Sequence, residues 1–286
     1  EKEIELGMIN SAVWADLDAD GKSELIITGD WQGIRVFTNT DGKSLQEKVI
    51  SGLEYSAGWI QSLAIADVNE DGKLDILTGN LGLNSKLKAS QEKPVWLYHG
   101  DVDENGQADP LIFHYMQERL VPLASRDELI KQIPAIKKKH TSYQSYSMIE
   151  SPSDLLTEDE LARTSKKPAY EFRSGVYLQQ TDGNFVFEPF PDQAQLSPIF
   201  SVSWDESNKS ILLGGNFSGY RVDLGISKAA AFEAYQWNKN GWNQLRLENT
   251  IPSKSEIRII KKIEVKDSRY GLAASNSGLL YWVKLD

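Results

Sequence analysis

Apolar and polar residues alternate along this chain in short runs, and the runs repeat. "VWADLDADGKSELIITGDWQG" (13–33) and "LAIADVNEDGKLDILTGNLGL" (63–83) align without a gap, and "SVSWDESNKSILLGGNFSG" (201–219) follows the same plan with a worn loop. A fourth copy, "IEVKDSRYGLAASNSG" (263–278), keeps the strands alone. Each copy predicts a half-buried strand, a tight acidic turn and a second apolar strand closed by Gly-Asp, Gly-Asn or Ser-Asn, which is an antiparallel hairpin.

A second hairpin recurs between these, in "IRVFTNTDGKSL" (34–45), "SGVYLQQTDGNFVF" (174–187) and "FEAYQWNKNGWNQL" (232–245). Asp-Gly or Asn-Gly at each tip supplies the positive φ that a strand-matching turn requires. "PVWLYHGDVDENGQADPLIF" (94–113) has the same plan with another acidic loop at its tip. Four-stranded antiparallel units in tandem predict an all-β chain built as a β-propeller. Outer hairpins near 34–50, 95–116, 174–189 and 231–247, with "LLYWVKL" (279–285) adding one more third strand, give about five blades, the third without its inner hairpin. The last blade lacks a fourth strand, and the segment Glu3 to Leu6 is expected to supply it beside Tyr281 to Val283. On this reading residues 1–286 form one propeller domain, or part of a larger propeller.

Residues about 118–170 break the pattern. Ser125 with Glu128 and Thr157 with Glu160 fit the capping box, in which hydroxyl and carboxylate satisfy the free N–H groups of a helix start reciprocally. "RDELIKQIPAIKKKH" predicts a helix interrupted near Pro134, and "TEDELARTS" a shorter one. A helical insertion on a β scaffold is expected at a face or rim, where function concentrates.

Charge narrows the partners. Forty-one acids against 31 bases give a net charge of -10, which repels nucleic acid and anionic membrane surfaces. No apolar run approaches a membrane span of roughly 20 residues, so membrane insertion is not expected. Without cysteine, disulfides and thiolate metal ligands are excluded. The chain starts at Glu1 without a charged and apolar leader, which fits a mature or trimmed chain.

The acids are not scattered. Three loops share one spacing: Asp16, Asp18, Asp20, Gly21 and Glu24; Asp67, Asn69, Asp71, Gly72 and Asp75; and Asp101, Asp103, Asn105, Gly106 and Asp109. These are positions one, three, five, six and nine. A hard cation such as Ca²⁺ takes six to eight oxygens, and alternating side chains on a tight loop converge on one point. Position seven, Lys22, Lys73 or Gln107, offers its backbone carbonyl. A helical calcium hand would close with Glu at position twelve, but Ile27, Thr78 and Ile112 stand there, and strands follow. The plainer alternative is that Asp, Asn and Gly cap turns through local hydrogen bonds. Three loops in one register, with a closing acid each, favour metal, because uncompensated carboxylates at such spacing would repel. The expected cofactor is about three Ca²⁺ ions, which would move the formal charge from -10 to -4. The worn loop at Asp205 to Lys209 has lost the spacing and is expected to bind nothing.

These loops resemble the FG-GAP, or VCBS-type, repeat family of calcium-loop β-propellers related to those of integrin α-chains. "DLDADGKSELIITGDW" and "DVNEDGKLDILTGNLG" match its Asp-x-Asp-x-Asp-Gly-x-x-Asp core followed by an apolar strand and glycine. Over most of its length the chain is also similar to bacterial secreted VCBS-repeat proteins, through "GNLGLNS", "SRDELIKQIP" and "AQLSPIF" in that order. The resemblance implies export to the periplasm, cell surface or medium, a calcium-stabilised propeller and no established catalytic role. The chain departs from it at 217–230, "FSGYRVDLGISKAA", where a Gly-Arg-Tyr-Asp-type stretch is expected.

Catalytic motifs are sparse. "GKS" occurs at 21–23 and 42–44, but Asp16 and Phe37 stand where a phosphate-binding loop needs glycine. Ser85 and Lys88 form a lone Ser-x-x-Lys. His99 and His114 are expected in packing or surface roles, and His140 follows the solvated run Lys137 to Lys139. Eight Trp and 11 Tyr could stack on sugar rings or fill an interface, with Trp31, Trp59, Trp204, Tyr143 and Tyr146 near predicted loops or the insertion; packing between blades is the alternative. Arg126 and Asp127 form either a polar contact site or a local pair. Together these features point to an extracellular binding or scaffold module for glycan or protein. The alternatives are a polysaccharide-active enzyme using paired carboxylates and a purely structural part of a larger propeller.

Overall fold

The computed structural model describes residues 5–39, 42, 44–220, 225–238, 241–247 and 251–285. About 43% of the chain is strand and 11% helix, and it divides into two compact units, one formed by residues 1–86 with 172–286 and the other by 87–171.

In the larger unit, the first sheet runs β1 (Ile9–Ala15), β2 (Glu24–Gln32), β3 (Arg35–Thr38) and β4 (Gln46–Lys48), with the short β5 (Gly58–Trp59) pairing the far end of β2. The second sheet begins with the hairpin β6 (Ser62–Ala66) and β7 (Asp75–Gly79).

The chain then leaves to build the smaller unit from β8 (Val95–Gly100), β9 (Asp109–Met116), β10 (Arg119–Pro122), five short helices and β11 (Ser165–Ala169), with sheet order β10-β9-β8-β11. The helices are α1 (Arg126–Gln132), α2 (Ile136–Lys139), α3 (Tyr143–Ser147), α4 (Pro152–Leu155) and α5 (Glu158–Ala162). Both expected capping boxes form, at Ser125 with Glu128 and at Thr157 with Glu160, and the break between α1 and α2 falls at Pro134. Leu111 and Phe113 of the sheet pack against Leu129, Ile133, Ile149 and Leu156.

On returning, β12 (Gly175–Gln179) pairs with β7, and β13 (Phe185–Pro189) completes the second sheet. The third sheet is β14 (Ile199–Asp205), β15 (Ser210–Gly215), β16 (Phe232–Asn238) and β17 (Gly241–Gln244). The fourth is β18 (Ile257–Val265), β19 (Ser268–Ser275) and β20 (Leu280–Lys284).

Strand pairing corrects one expectation. The 95–116 hairpin is not the outer half of the unit that starts at 63; it is the centre of the separate sheet in residues 87–171. The 174–189 hairpin, expected to lack an inner partner, has the 63–79 hairpin as that partner, because Tyr177, Val176 and Gly175 pair with Ile76, Leu77 and Thr78. All five helices lie inside the expected insertion, but the compact unit that holds them begins at Leu87. Of the segment Glu3 to Leu6 expected to close the last blade, Glu3 and Ile4 lie outside the described residues, as do the hairpin tips at Asp41 and Asn240.

The middle strands β7 and β15 are buried along their whole length, which follows from packing on both faces. Ile76 faces Ile26 and Val36 of the first sheet, while Leu77 joins Val202, Ile211 and Leu213 of the third. One position further along β15, Leu212 joins Ile257, Ile260 and Ala273 of the fourth. The period of two along each strand thus assigns alternate residues to successive inter-sheet cores. The first strands β1, β6, β14 and β18 neighbour one another in that order. Glycine at the end of β7 permits this approach: a Cβ on Gly79 would lie 2.5 Å from the carbonyl oxygen of Ile199.

Candidate metal centres

The three acidic loops adopt one backbone. Position four is left-handed in each, with φ +57° at Ala19, +60° at Glu70 and +60° at Glu104. Position six is left-handed too, at Gly21, Gly72 and Gly106 with φ +86°, +82° and +86°; only glycine takes this conformation without strain.

Side chains hold these turns identically. The position-one carboxylate accepts the N–H groups of positions five and six: Asp16 from Asp20 and Gly21 at 3.1 and 3.0 Å, Asp67 from Asp71 and Gly72 at 3.1 and 2.9 Å, Asp101 from Asn105 and Gly106 at 3.0 and 2.9 Å. Position five accepts the N–H of position seven, so Asp20, Asp71 and Asn105 bond Lys22, Lys73 and Gln107 at 2.8, 2.9 and 2.8 Å. Position nine, the first residue of the following strand, accepts the N–H of position two: Glu24 from Leu17 at 2.9 Å, Asp75 from Val68 at 2.9 Å, Asp109 from Val102 at 3.2 Å. The extra methylene of Glu24 does not spoil the arrangement.

Position-nine acids are buried, with Glu24, Asp75 and Asp109 at 3%, 0% and 4% exposure, and burial is expensive for a carboxylate. Desolvation pushes the Glu24 carboxyl up and that of Asp75 up to about 6. Asp18 goes the other way, because the Lys48 ammonium donates to it at 2.9 Å.

In the first loop, Asp16, Asp18 and Glu24 each bring a carboxylate oxygen within 4.8 Å of the others, and Asp101, Asp103 and Asp109 do the same in the third. The middle loop has Asn69 at position three, so its oxygens there come from an amide as well as acids; the Asn69 amide oxygen accepts from Asp71 N–H at 3.1 Å. Asp103 Oδ1 is buried and has no hydrogen-bond partner. An oxygen left bare in a polar loop, beside two further carboxylates, suits a hard cation. Side chains at positions one, three, five and nine with the carbonyl at seven are the donor set these loops offer.

Groups that spacing could not reveal brace the loops. Gln132 of α1 donates to Asp109 Oδ1 at 3.0 Å, and Arg163 donates to the Val102 carbonyl at 2.9 Å while pairing Glu104 at 3.2 Å. Gln179 N–H donates to Asp75 Oδ1 at 2.9 Å. The worn loop carries a guanidinium instead: Arg269 lies 3.2 Å from Asp205 and 2.9 Å from Asn208, with Lys262 at 3.8 Å.

The other candidates are mostly structural. Trp204 is buried and bonds Glu206. Trp59 stacks edge-on against Trp31 and Phe172 at 5.5 Å each. Tyr146 donates to the Ala124 carbonyl. Arg126, Asp127 and Tyr143 satisfy one another, with the Tyr143 hydroxyl 2.6 Å from Asp127 and Arg126 over its ring. His140 is not on a solvated face: it is 7% exposed, its ring nitrogens facing the carbonyls of Ser145 and Asp154. His99 is exposed and His114 half-buried on their strands.

Residues 16–78, which hold the first two loops, match the FG-GAP-like repeat. Among solved structures, the chain is similar to the major Malassezia sympodialis allergen Mala s 1, at 12% identity over 88% of this chain and 69% of that one, with a TM-score of 0.29, too loose an overlap to carry a shared fold. No curated protein matches significantly. Among the described residues, no helix is long and apolar enough to cross a membrane.

Proposed function

We propose that this chain is a calcium-binding β-propeller that works outside the cytoplasm as a binding or scaffold module. The observation that carries the reading is the common geometry of the three loops, with the bare oxygen of Asp103 inside one of them. Asp16, Asp18, Asp20, the Lys22 carbonyl and Glu24 hold one ion; Asp67, Asn69, Asp71, the Lys73 carbonyl and Asp75 a second; Asp101, Asp103, Asn105, the Gln107 carbonyl and Asp109 a third. When bound, each ion supplies the counter-charge that the buried position-nine acid lacks. The propeller reading is supported by four antiparallel sheets packed face to face in chain order, with first strands adjacent. Repeats of this kind are typically extracellular, where free calcium suits sites of moderate affinity.

Recognition of a glycan or protein is assigned to the helical insertion, where Tyr143 and Met148 are two-thirds exposed. Calorimetric titration of chelator-treated protein with Ca²⁺ tests the metal reading, with about three sites expected; no binding heat would sink it. A glycan array paired with an assay for reducing ends tests the rest. Retention without product release supports a binding module, and release of reducing ends would make the chain an enzyme.

A further inference from the structure

The first two loops are joined by one side chain. Gln179 is the last residue of β12, is 7% exposed, and donates from each of its two nitrogens to a loop group. Its N–H donates to Asp75 Oδ1 at 2.9 Å, and its side-chain Nε2 donates to the carbonyl of Leu17 at 3.0 Å. Leu17 in turn donates its own N–H to Glu24 Oε2 at 2.9 Å. Three hydrogen bonds, joined through the covalent frames of Gln179 and Leu17, therefore connect the closing acid of the second loop to the closing acid of the first.

We propose that Gln179 is a positioning residue that makes calcium binding at the first and second loops mutually dependent. This rests on the calcium reading of those loops. Asp75 has both oxygens engaged, one by its own loop through Val68 and one by Gln179. Any movement of Asp75 toward an ion must carry the Gln179 backbone with it or break a buried bond, and breaking one leaves a desolvated group unpaired. The same residue holds the Leu17 carbonyl, one Cα away from the N–H that Leu17 donates to Glu24, and so restrains the residue from which that donor comes. An ion that fixes Asp75 therefore steadies Gln179 and, through the Leu17 carbonyl, the residue whose N–H aims Glu24, and the coupling is reciprocal by linkage.

The third loop serves as an internal control. Its closing acid Asp109 accepts from Gln132, and its position-two carbonyl, that of Val102, accepts from Arg163, both donors lying within its own unit.

The test is a cycle on the full chain with Ca²⁺ as the only added ligand. Loop two is disabled by Asp67→Asn with Asp71→Asn, and affinity at loop one is measured with Gln179 or with Gln179→Met, which keeps the backbone N–H and the length but removes the amide. With Gln179, disabling loop two weakens loop one by roughly fivefold or more; with Gln179→Met the same change has no effect on loop one. An equal factor in both backgrounds overturns the coupling while leaving the calcium reading intact, and absence of calcium binding in the unsubstituted chain removes both. Should Gln179→Met fail to fold, hydrogen exchange of the Leu17 amide decides the matter in protein whose first loop carries Asp16→Asn and Asp18→Asn. Calcium entering loop two then slows that exchange severalfold, and an unchanged rate overturns the proposal.

Discussion

Arg269 places its guanidinium 3.2 Å from the carboxylate of Asp205, which is 3% exposed. Asp205 closes β14 and opens the hairpin turn in which the first two repeats carry their acidic loops. The third repeat has two acids at its turn, Asp205 and Glu206, and Asp205 meets cations from the adjacent sheet, Arg269 and, at 3.8 Å, Lys262. The buried acid of this repeat is thus met by a guanidinium, whereas the buried closing acids of the first two repeats accept backbone N–H groups.

Removing that cation should therefore destabilise the fold in a way calcium does not repair. Arg269→Leu leaves a buried charge with only the more distant Lys262, and a loss of about 3 kcal/mol is expected, the lower end for breaking a buried pair. Urea unfolding with and without calcium checks this. A deficit that calcium erases would mean the worn loop still takes metal.

Lys48 poses the opposite case. Its ammonium donates to Asp18, but both groups are substantially exposed, so the pair is worth under about 1 kcal/mol. Lys48→Met should free Asp18 and tighten calcium at loop one by roughly two- to fivefold. Weaker binding in that variant would show that Lys48 supports the site.

Asp75 gives a pH signature in calcium-free buffer. Its carboxyl is raised by burial from 3.8 to about 6, so between those values the folded chain holds a proton that the unfolded chain has lost. Stability is then highest below about pH 4 as far as this group is concerned, and falls as pH rises through 6, by on the order of 3 kcal/mol. Asp75→Asn should flatten this slope in denaturation measured from pH 4 to 7. An unchanged slope would place the titrating group elsewhere.

Two glycines separate backbone strain from crowding. A Cβ on Gly72 meets nothing within 4 Å, so Gly72→Ala should lose only the penalty of φ +82°, roughly 1 to 2 kcal/mol. On Gly79 the Cβ would press the Ile199 carbonyl and Ser62 Oγ, both at 2.5 Å, and the loss should be larger, up to about 3 kcal/mol. Equal losses in thermal unfolding would contradict the close approach of β7 to β14.

The loops were legible because their information is local: acids at alternating positions, a glycine at six and an acid at nine all lie within one turn. The capping boxes at Ser125 and Thr157 were legible for the same reason. Pairing between β7 and β12 was not, since Tyr177 and Ile76 are separated by the whole second unit, and the hairpin around Asp101 carries the same alternation and acidic tip as the repeats. Gln179, Arg269 and Lys48 were equally hidden. Each meets its loop from another strand, and nothing in the neighbouring residues marks a glutamine or a lysine as the brace of a distant carboxylate. The three lysines before His140 point to solvent, whereas α2 buries Ile136 and the imidazole lies inward.

The central claim is that calcium pins these hairpins, and thermal unfolding of one preparation in excess chelator and in excess calcium tests it most directly. Two sites in the larger unit, each filled at one hundred times its Kd, contribute about 2.7 kcal/mol apiece, which corresponds to a rise of roughly 10 °C in a chain of this size. That rise, abolished by Asp67→Asn and Asp16→Asn together, is the predicted result. Identical melting temperatures in chelator and calcium would contradict it and return the three loops to ordinary acidic turns.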